Sequence, residues 1–319
     1  MKVALAQIAP VWLNKIKTTL KIIDYINQAG TENSDLVVFG EGLLPGYPFW
    51  LSFTGGAEFN SKIQKEIHAH YLTQGVDVAA GDLKDICLAA AQNKVAVYLG
   101  IIEKAADRGG HSLYCALVHI NKQGEILSVH RKLQPTYEER LVWAAGDGHG
   151  LHVHQLEEFR VGGLNCWENW MPLSRTALYA QGENLHVAVW PGCLRNTKDI
   201  TEFIAKESRS FVISVSGLFQ KENISDALPH AEMMRDLAPD DIANGGSGIM
   251  NPRGEWVLEP QIGEEGLYTA ELDLQEVLEE RQNFDVAGHY SRPDITRLEV
   301  NRNRQSLVHF SEDCNMRTS

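Results

Sequence analysis

Cys166 is the residue of this 319-residue chain around which chemistry could be built. It follows Gly162-Gly163-Leu164-Asn165 and precedes Trp167-Glu168-Asn169. The glycines let the backbone turn sharply, and a helical turn beginning just after the thiol can offer backbone N–H groups to a developing anion. A free thiol ionises near pH ~8.5 and needs a base or a cation beside it to react well at neutral pH. Glu41 closes the apolar run DLVVFGE, where partial desolvation raises the pKa of a carboxylate and makes it a usable base. Lys132 closes EILSVHRK, and Glu139 follows in HRKLQPTYEER. Taken singly, each residue also has a plainer account. Cys166 reads as a small buried hydrophobe. Glu41 reads as a solvated strand end, and Lys132 and Glu139 as surface charges.

The elements that must position these groups alternate in type. Lys2–Ala9 reads as a strand, and Asn14–Gln28 as a helix with Ile16, Leu20, Ile23 and Ile26 at helical spacing. Strands are expected at Asp35–Glu41 and Val95–Glu103, with a helix at Asp82–Asn93 between them. Leu113–Ile120 and Glu125–Lys132 flank the hairpin signal Asn121-Lys122-Gln123-Gly124. Arg160–Asn165 leads as a strand into Cys166, and Pro172–Gln181 is a helix with proline suited to its first turn. Further strands are expected at Asn184–Trp190, Phe211–Ser216, Ser247–Met250, Glu255–Leu258 and Leu267–Asp273, with helices at Asp199–Ser208 and Gln275–Arg281. Helices between strands predict an α/β fold whose sheets are covered on at least one face. Glu41, Lys132 and Cys166 all close strands, which is where such sheets hold their ligands. With no composition break, residues 1–298 read as one domain and residues 299–319 as a polar tail or assembly arm.

Net charge is −13, and no basic cluster is longer than His130-Arg131-Lys132, which argues against nucleic acid or an anionic membrane surface as partner. No apolar run spans a bilayer, and MKVALAQIAP reads as a first strand rather than a leader. Five scattered cysteines without a C-x-x-C suit free thiols in a reducing, cytoplasmic setting. His149, His152 and His154 could form half a metal site, with His152 and His154 on one side of a strand, but no third ligand has convincing spacing, and a structural role is favoured. Tyr47 and Trp167 are the aromatic residues expected to line a substrate pocket. Phe49, Trp50 and Trp170 are expected in the core.

Together the segments FGEGLLPGYPFW, HRKLQPTYEERLVWAAGDG and GGLNCWENWMPLSR resemble the glutamate, lysine and cysteine motifs of the nitrilase superfamily. NFDVAGHYSRPDI resembles a segment of its nitrilase branch rather than of its amidase and carbamoylase branches. The resemblance runs from Glu41 to Asp294 and implies a four-layer αββα sandwich, a single carbon–nitrogen hydrolase domain and a Glu–Lys–Cys set with a second glutamate, Glu139. It implies hydrolysis of a nitrile to the acid and ammonia by Cys166, with Glu41 as base, Lys132 as charge stabiliser and no metal or organic cofactor. The partners it implies are a small nitrile, water and further copies of the chain, as a dimer or a larger spiral. An amidase, a carbamoylase or a cyanide-hydrolysing enzyme of the same superfamily, a non-catalytic assembly protein and a metal-dependent hydrolase remain the competing accounts.

Overall fold

A computed structural model describes residues 1–308. The first half of the chain runs β1 (Lys2–Gln7), α1 (Lys15–Thr31), β2 (Leu36–Phe39), α2 (Trp50–Phe53), α3 (Lys62–Gln74), α4 (Lys84–Asn93), β3 (Ala96–Lys104), β4 (Leu113–Ile120) and β5 (Ile126–Arg131). The second half runs β6 (His154–Leu156), β7 (Phe159–Asn165), α5 (Pro172–Tyr179), β8 (Leu185–Trp190), α6 (Lys198–Ser208), β9 (Phe211–Ser216), β10 (Leu218–Phe219), α7 (Ala231–Leu237), β11 (Ala243–Met250), β12 (Trp256–Ile262), β13 (Gly266–Glu271) and α8 (Leu274–Arg281). One sheet has the order β13-β1-β2-β3-β4-β5. The other has the order β10-β11-β9-β8-β7-β6, with β12 added on β11.

Period-two alternation along the strands creates the layers. In β1, Val3 and Leu5 join Leu36 and Val38 against Leu185, Val187, Phe211 and Ile213 of the other sheet. Ala4 and Ala6 face the opposite way, packing with Ile22 and Ile26 of α1 and Ile86 and Ala90 of α4. On the far side, Ala188 and Trp190 of β8 meet Ile200 and Ile204 of α6, while Leu164 meets Ala177 and Leu178 of α5. The result is helix, sheet, sheet, helix, as the αββα expectation required.

Strand directions bring the reactive residues together. β2 and β3 are parallel, and β4 is antiparallel to β3 and β5 to β4, so β5 runs with β2. Glu41 and Lys132 therefore emerge at the same edge of the first sheet. β7 and β8 are parallel, and the backbone N–H of Glu41 donates to the carbonyl of Trp190 at the end of β8 (3.2 Å), so the carboxyl ends of both sheets meet. Cys166, at the end of β7, enters the same space.

Several expectations need correction. The helix at α1 forms, capped by Asn14, whose side chain accepts from the Lys17 N–H (3.0 Å), but it buries Thr18, Ile22, Ile26 and Ala29. Ile16 and Leu20 lie exposed, because the buried stripe is rotated by about a residue from the apolar one. Trp170 is also exposed, its ring lying beside Trp167, rather than in the core. Trp50 is buried as expected. α3 is absent from the sequence-based element list because it buries only Ile67 and Tyr71, a stripe too narrow for its many polar residues to reveal. His152 falls outside β6, so it and His154 do not share a strand face. Within the tail, Val300 packs on the cluster of Leu151, Leu164 and Leu178, and Arg304 pairs with Asp147 (3.0 Å), while Cys314 lies outside the described residues. Among the described residues, no helix is long and apolar enough to cross a membrane.

Candidate active site

Each reactive side chain is delivered by a turn just past a strand. β2 ends at Phe39, so Glu41 sits in the following turn rather than in the strand itself. That turn lies directly on β3. A Cβ on Gly100 would stand 2.2 Å from the Gly40 carbonyl oxygen and 2.8 Å from the Glu41 Cα, so only glycine lets the two backbones approach this closely. The Lys132 N–H donates to the carbonyl of Cys115 in β4 (2.8 Å), and the Gly146 N–H donates to the Lys132 carbonyl (2.8 Å). Glu139 lies in a single turn, Tyr137–Leu141, capped reciprocally: the Thr136 N–H donates to Glu139 Oε2 (2.6 Å). Cys166 opens the turn Cys166–Trp170 with φ at +47°, in the left-handed region that side chains avoid. Such a conformation costs on the order of 1 kcal/mol and persists only where its surroundings enforce it.

Those surroundings are polar and buried. Glu168 accepts from the N–H of Leu133 (2.6 Å) and of Asn165 (2.9 Å), and lies 3.1 Å from His130 Nε2. It thus ties the residue after Lys132 to the residue before Cys166. Burial alone would raise the Glu168 pKa, but His130 and the two N–H donors outweigh it and hold the carboxyl below its ordinary value. Behind the thiol, the amide of Asn169 donates to the Cys166 carbonyl (2.8 Å). Its oxygen lies 2.8 Å from His186, whose other ring nitrogen lies 3.0 Å from Glu183. The roles of His130, Glu168, Asn169, Glu183 and His186 in this network are not among the expectations drawn from the sequence.

The centre itself holds Glu41, Lys132, Glu139 and Cys166, all at most 5% exposed. Lys132 Nζ lies 2.8 Å from Glu41 Oε1 and 2.7 Å from Glu139 Oε2. Carboxylate oxygens of Glu41 and Glu139 and the Cys166 sulfur lie within 4.8 Å of one another. Tyr47 donates from its hydroxyl to Glu139 Oε1 (2.6 Å), and the Trp143 ring lies 5.7 Å from the ammonium. Trp167 stands at the surface, about half exposed.

Burial pushes the Glu41 pKa up, Lys132 pulls it down and Glu139 pushes it up again, to about 7. Burial opposes the Lys132 charge, yet the carboxylates of Glu41 and Glu139 and the Cys166 thiol hold its pKa well above the ordinary value. Burial and then Glu41 push the Cys166 thiol well up, against the pull of Lys132. The resting site therefore keeps a protonated thiol beside a carboxyl able to take its proton near neutrality, with a fixed cation alongside. By spacing alone, Glu41, Glu139 and Cys166 could hold a metal ion. The Lys132 ammonium already bridges the two carboxylates, so an incoming cation would meet fixed positive charge. The histidines do not make a second such group among the described residues. His154 bonds Ser128 (2.9 Å), and His119 stacks on Tyr98, both rings with burial-lowered pKa values.

The family profile described as carbon-nitrogen hydrolase matches residues 2–282. A protein from an unknown prokaryotic organism named "Nitrilase 2" is 36% identical over 96% of this chain and 94% of its own length. "Nitrilase 2" of Arabidopsis thaliana is 33% identical over 97% and 91%, and the "Aliphatic nitrilase" of Rhodococcus rhodochrous is 33% identical over 97% and 82%. Among solved structures, a carbon-nitrogen hydrolase from Helicobacter pylori G27 superposes with a TM-score of 0.70 at 19% identity, covering 92% of this chain and 96% of that one. The NitN amidase of Nesterenkonia superposes at 0.64 with 18% identity, covering 89% and 97%. These two likenesses speak to the fold.

Proposed function

The chain belongs to the carbon-nitrogen hydrolase family, and on that premise we propose that it hydrolyses a nitrile to the carboxylic acid and ammonia, with Cys166 as nucleophile. It is a hydrolase of carbon–nitrogen bonds. The observation that carries the nitrile is that relatives named nitrilases align over nearly the whole chain. What supports the residue roles is the buried cluster of thiol, ammonium and two carboxylates.

A nitrile carbon is a weak electrophile with no leaving group, which suits addition of a soft sulfur. Glu41 takes the Cys166 proton as sulfur bonds to carbon and passes it to the nitrile nitrogen, giving a thioimidate. A first water, its proton taken by Glu41, adds to that carbon. Glu41 returns that proton to the nitrogen, then carries the hydroxyl proton of the tetrahedral adduct to it, so that ammonia leaves and a thioester remains. A second water cleaves the thioester to the acid and restores the thiol. Lys132 stabilises negative charge in the tetrahedral states, and its value is raised by the low dielectric around it. Glu139, bonded to Lys132 and Tyr47, orients the ammonium. Tyr47, bonded to Glu139, and Trp167, next to Cys166 in the chain, are the residues we assign to substrate contact.

The test is ammonia release by purified protein from aliphatic, aromatic and arylacetonitriles, from cyanide, and from the matched amides. Turnover of nitriles above the amides is expected. Hydrolysis of amides with inert nitriles would overturn the substrate in favour of an amidase. Because Glu41 must be ionised to act and its pKa is raised to about 7, kcat/KM should fall about tenfold per unit as pH drops below about 7. That limb belongs to the coupled carboxylates and lysine together.

The assembly we propose is a homo-oligomer. Trp170, Leu173 and Phe203 stand exposed on and beside α5 and α6, apolar area that a second copy could cover. Light scattering under active conditions should give a mass of at least twice 35.6 kDa, and a 35.6 kDa active species would contradict it.

A further inference from the structure

Cys115 is a second thiol in the buried centre, and nothing in the mechanism above uses it. It is the third residue of β4, fully buried, and its sulfur lies 3.5 Å from Glu41 Oε1. Its backbone carbonyl accepts the Lys132 N–H (2.8 Å). One residue therefore touches both the base and the backbone that carries the cation. Glu41 Oε1 is also the oxygen paired with Lys132, whereas Oε2 is buried without a hydrogen-bond partner. A buried carboxylate oxygen left unpartnered is costly unless it has a task.

We propose that Cys115 is a positioning residue: its S–H donates to Glu41 Oε1 and, with Lys132, occupies that oxygen, leaving Oε2 free to take the proton of Cys166. The inference rests on the reading of Cys166 as nucleophile and Glu41 as base. The thiol has a second acceptor in reach, Asn165 Oδ1 at 4.0 Å, but the closer and charged carboxylate is the stronger one. For Cys115 itself to ionise beside Glu41 would place two negative charges together in a dry site, and burial followed by the Glu41 charge holds its pKa well above the ordinary value. It stays a donor. The other ionisable groups that bear on Glu41 are Lys132, Glu139, Tyr47, Tyr71 and Cys166, and substitution at Cys115 removes none of them.

A donor to the ionised form lowers the pKa of a carboxyl, so removing it raises that pKa. Cys115→Ala should move the acid limb of Cys166 reactivity up by about half to one pH unit, the shift that corresponds to one modest hydrogen bond. Cys115→Ser, which restores an X–H donor, should return the limb most of the way. KM should stay near wild type while kcat at pH 7 falls severalfold in the alanine variant. The limb is read in two ways: by alkylation of Cys166 with iodoacetamide across pH, followed by peptide mass spectrometry, and by ammonia release. Alkylation needs no nitrile. If no nitrile is turned over but the alkylation limb still moves, the substrate reading falls and the role of Cys115 stands. An alanine limb superimposed on wild type would overturn the inference. So would alanine and serine variants that both lose reactivity in step with their melting temperatures while the limb stays fixed, since that pattern marks a packing residue alone.

Discussion

Cys166→Ala should reduce ammonia release to background, a loss of roughly 10⁴-fold or more, while the protein stays folded. The size of the effect follows from covalent chemistry, since the proposed reaction runs through a bond between Cys166 and the nitrile carbon, while the other thiol of the centre, Cys115, faces Glu41. The side chain lost is small, and the φ of +47° at this position is held by the surrounding network rather than by the sulfur. Destabilisation should therefore stay near 1 kcal/mol, in the range of a small core truncation. Cys87 is the control. It lies half-buried on α4, away from the carboxylates, and Cys87→Ala should leave turnover within about twofold, as for a substitution remote from the site. Cys115→Ala should fall between the two. Circular dichroism melts beside single-turnover assays separate chemistry from folding, and full activity in folded Cys166→Ala would end the proposal.

Why the centre could be read from sequence, and its support could not, is a matter of range. Glu41, Lys132 and Cys166 are each introduced by an apolar strand, and strand ends are local features. The two capping turns were also locally legible: Thr136 stands three residues before Glu139, and Asn165 three before Glu168, the pattern of a reciprocal cap. Reading that pattern would have assigned Glu168 its place. Cys115, His130, Asn169, His186 and Glu183 carry no such signature. Most of their partners are distant in sequence: strand order within a sheet decides that His186 meets Asn169 and that Cys115 meets Glu41, and the stacking of the two sheets decides that His130 meets Glu168. Gly100 is similar, since the turn it accommodates comes from a neighbouring strand. The misread face of α1 has a different origin. Ile16 and Leu20 are as apolar as Ile22 and Ile26, and periodicity alone does not say which of two overlapping stripes the sheet will cover.

Lys132 carries the second large expectation, and its burial changes what a substitution there would mean. Read from sequence, Lys132→Ala is a test of charge stabilisation in a folded protein. In the structure the ammonium lies between two buried carboxylates, 2.8 and 2.7 Å away. Removing one partner of a buried ion pair costs about 3–5 kcal/mol, unless the orphaned charge is neutralised. Glu41, already raised to about 7, is the group that would take up a proton. Lys132→Met should therefore lose at least about a hundredfold in turnover for two reasons at once, the missing cation and a base occupied by its own proton. Lys132→Arg should lose as much, because a planar guanidinium cannot occupy a 1%-exposed ammonium site without displacing a carboxylate. The sign of the pH dependence separates the two reasons. A carboxyl whose folded pKa lies above its unfolded value adds stability that is fully present below the unfolded value and is lost as pH rises through the folded one. Wild type, with the Glu41 pKa at about 7, and the Lys132→Met variant, with it higher still, lose that stability alike up to about pH 7, so the gap between them should widen as pH rises above about 7. Adding Glu41→Gln should narrow it by removing the orphaned charge, a non-additive result that a thermal-melt cycle would register. Turnover runs the other way. If the occupied base dominates, the deficit of Lys132→Met shrinks as rising pH frees Glu41. If lost stabilisation of the tetrahedral states dominates, the deficit holds constant across pH. A folded Lys132→Met enzyme with near wild-type turnover at pH 7 would remove Lys132 from the chemistry altogether.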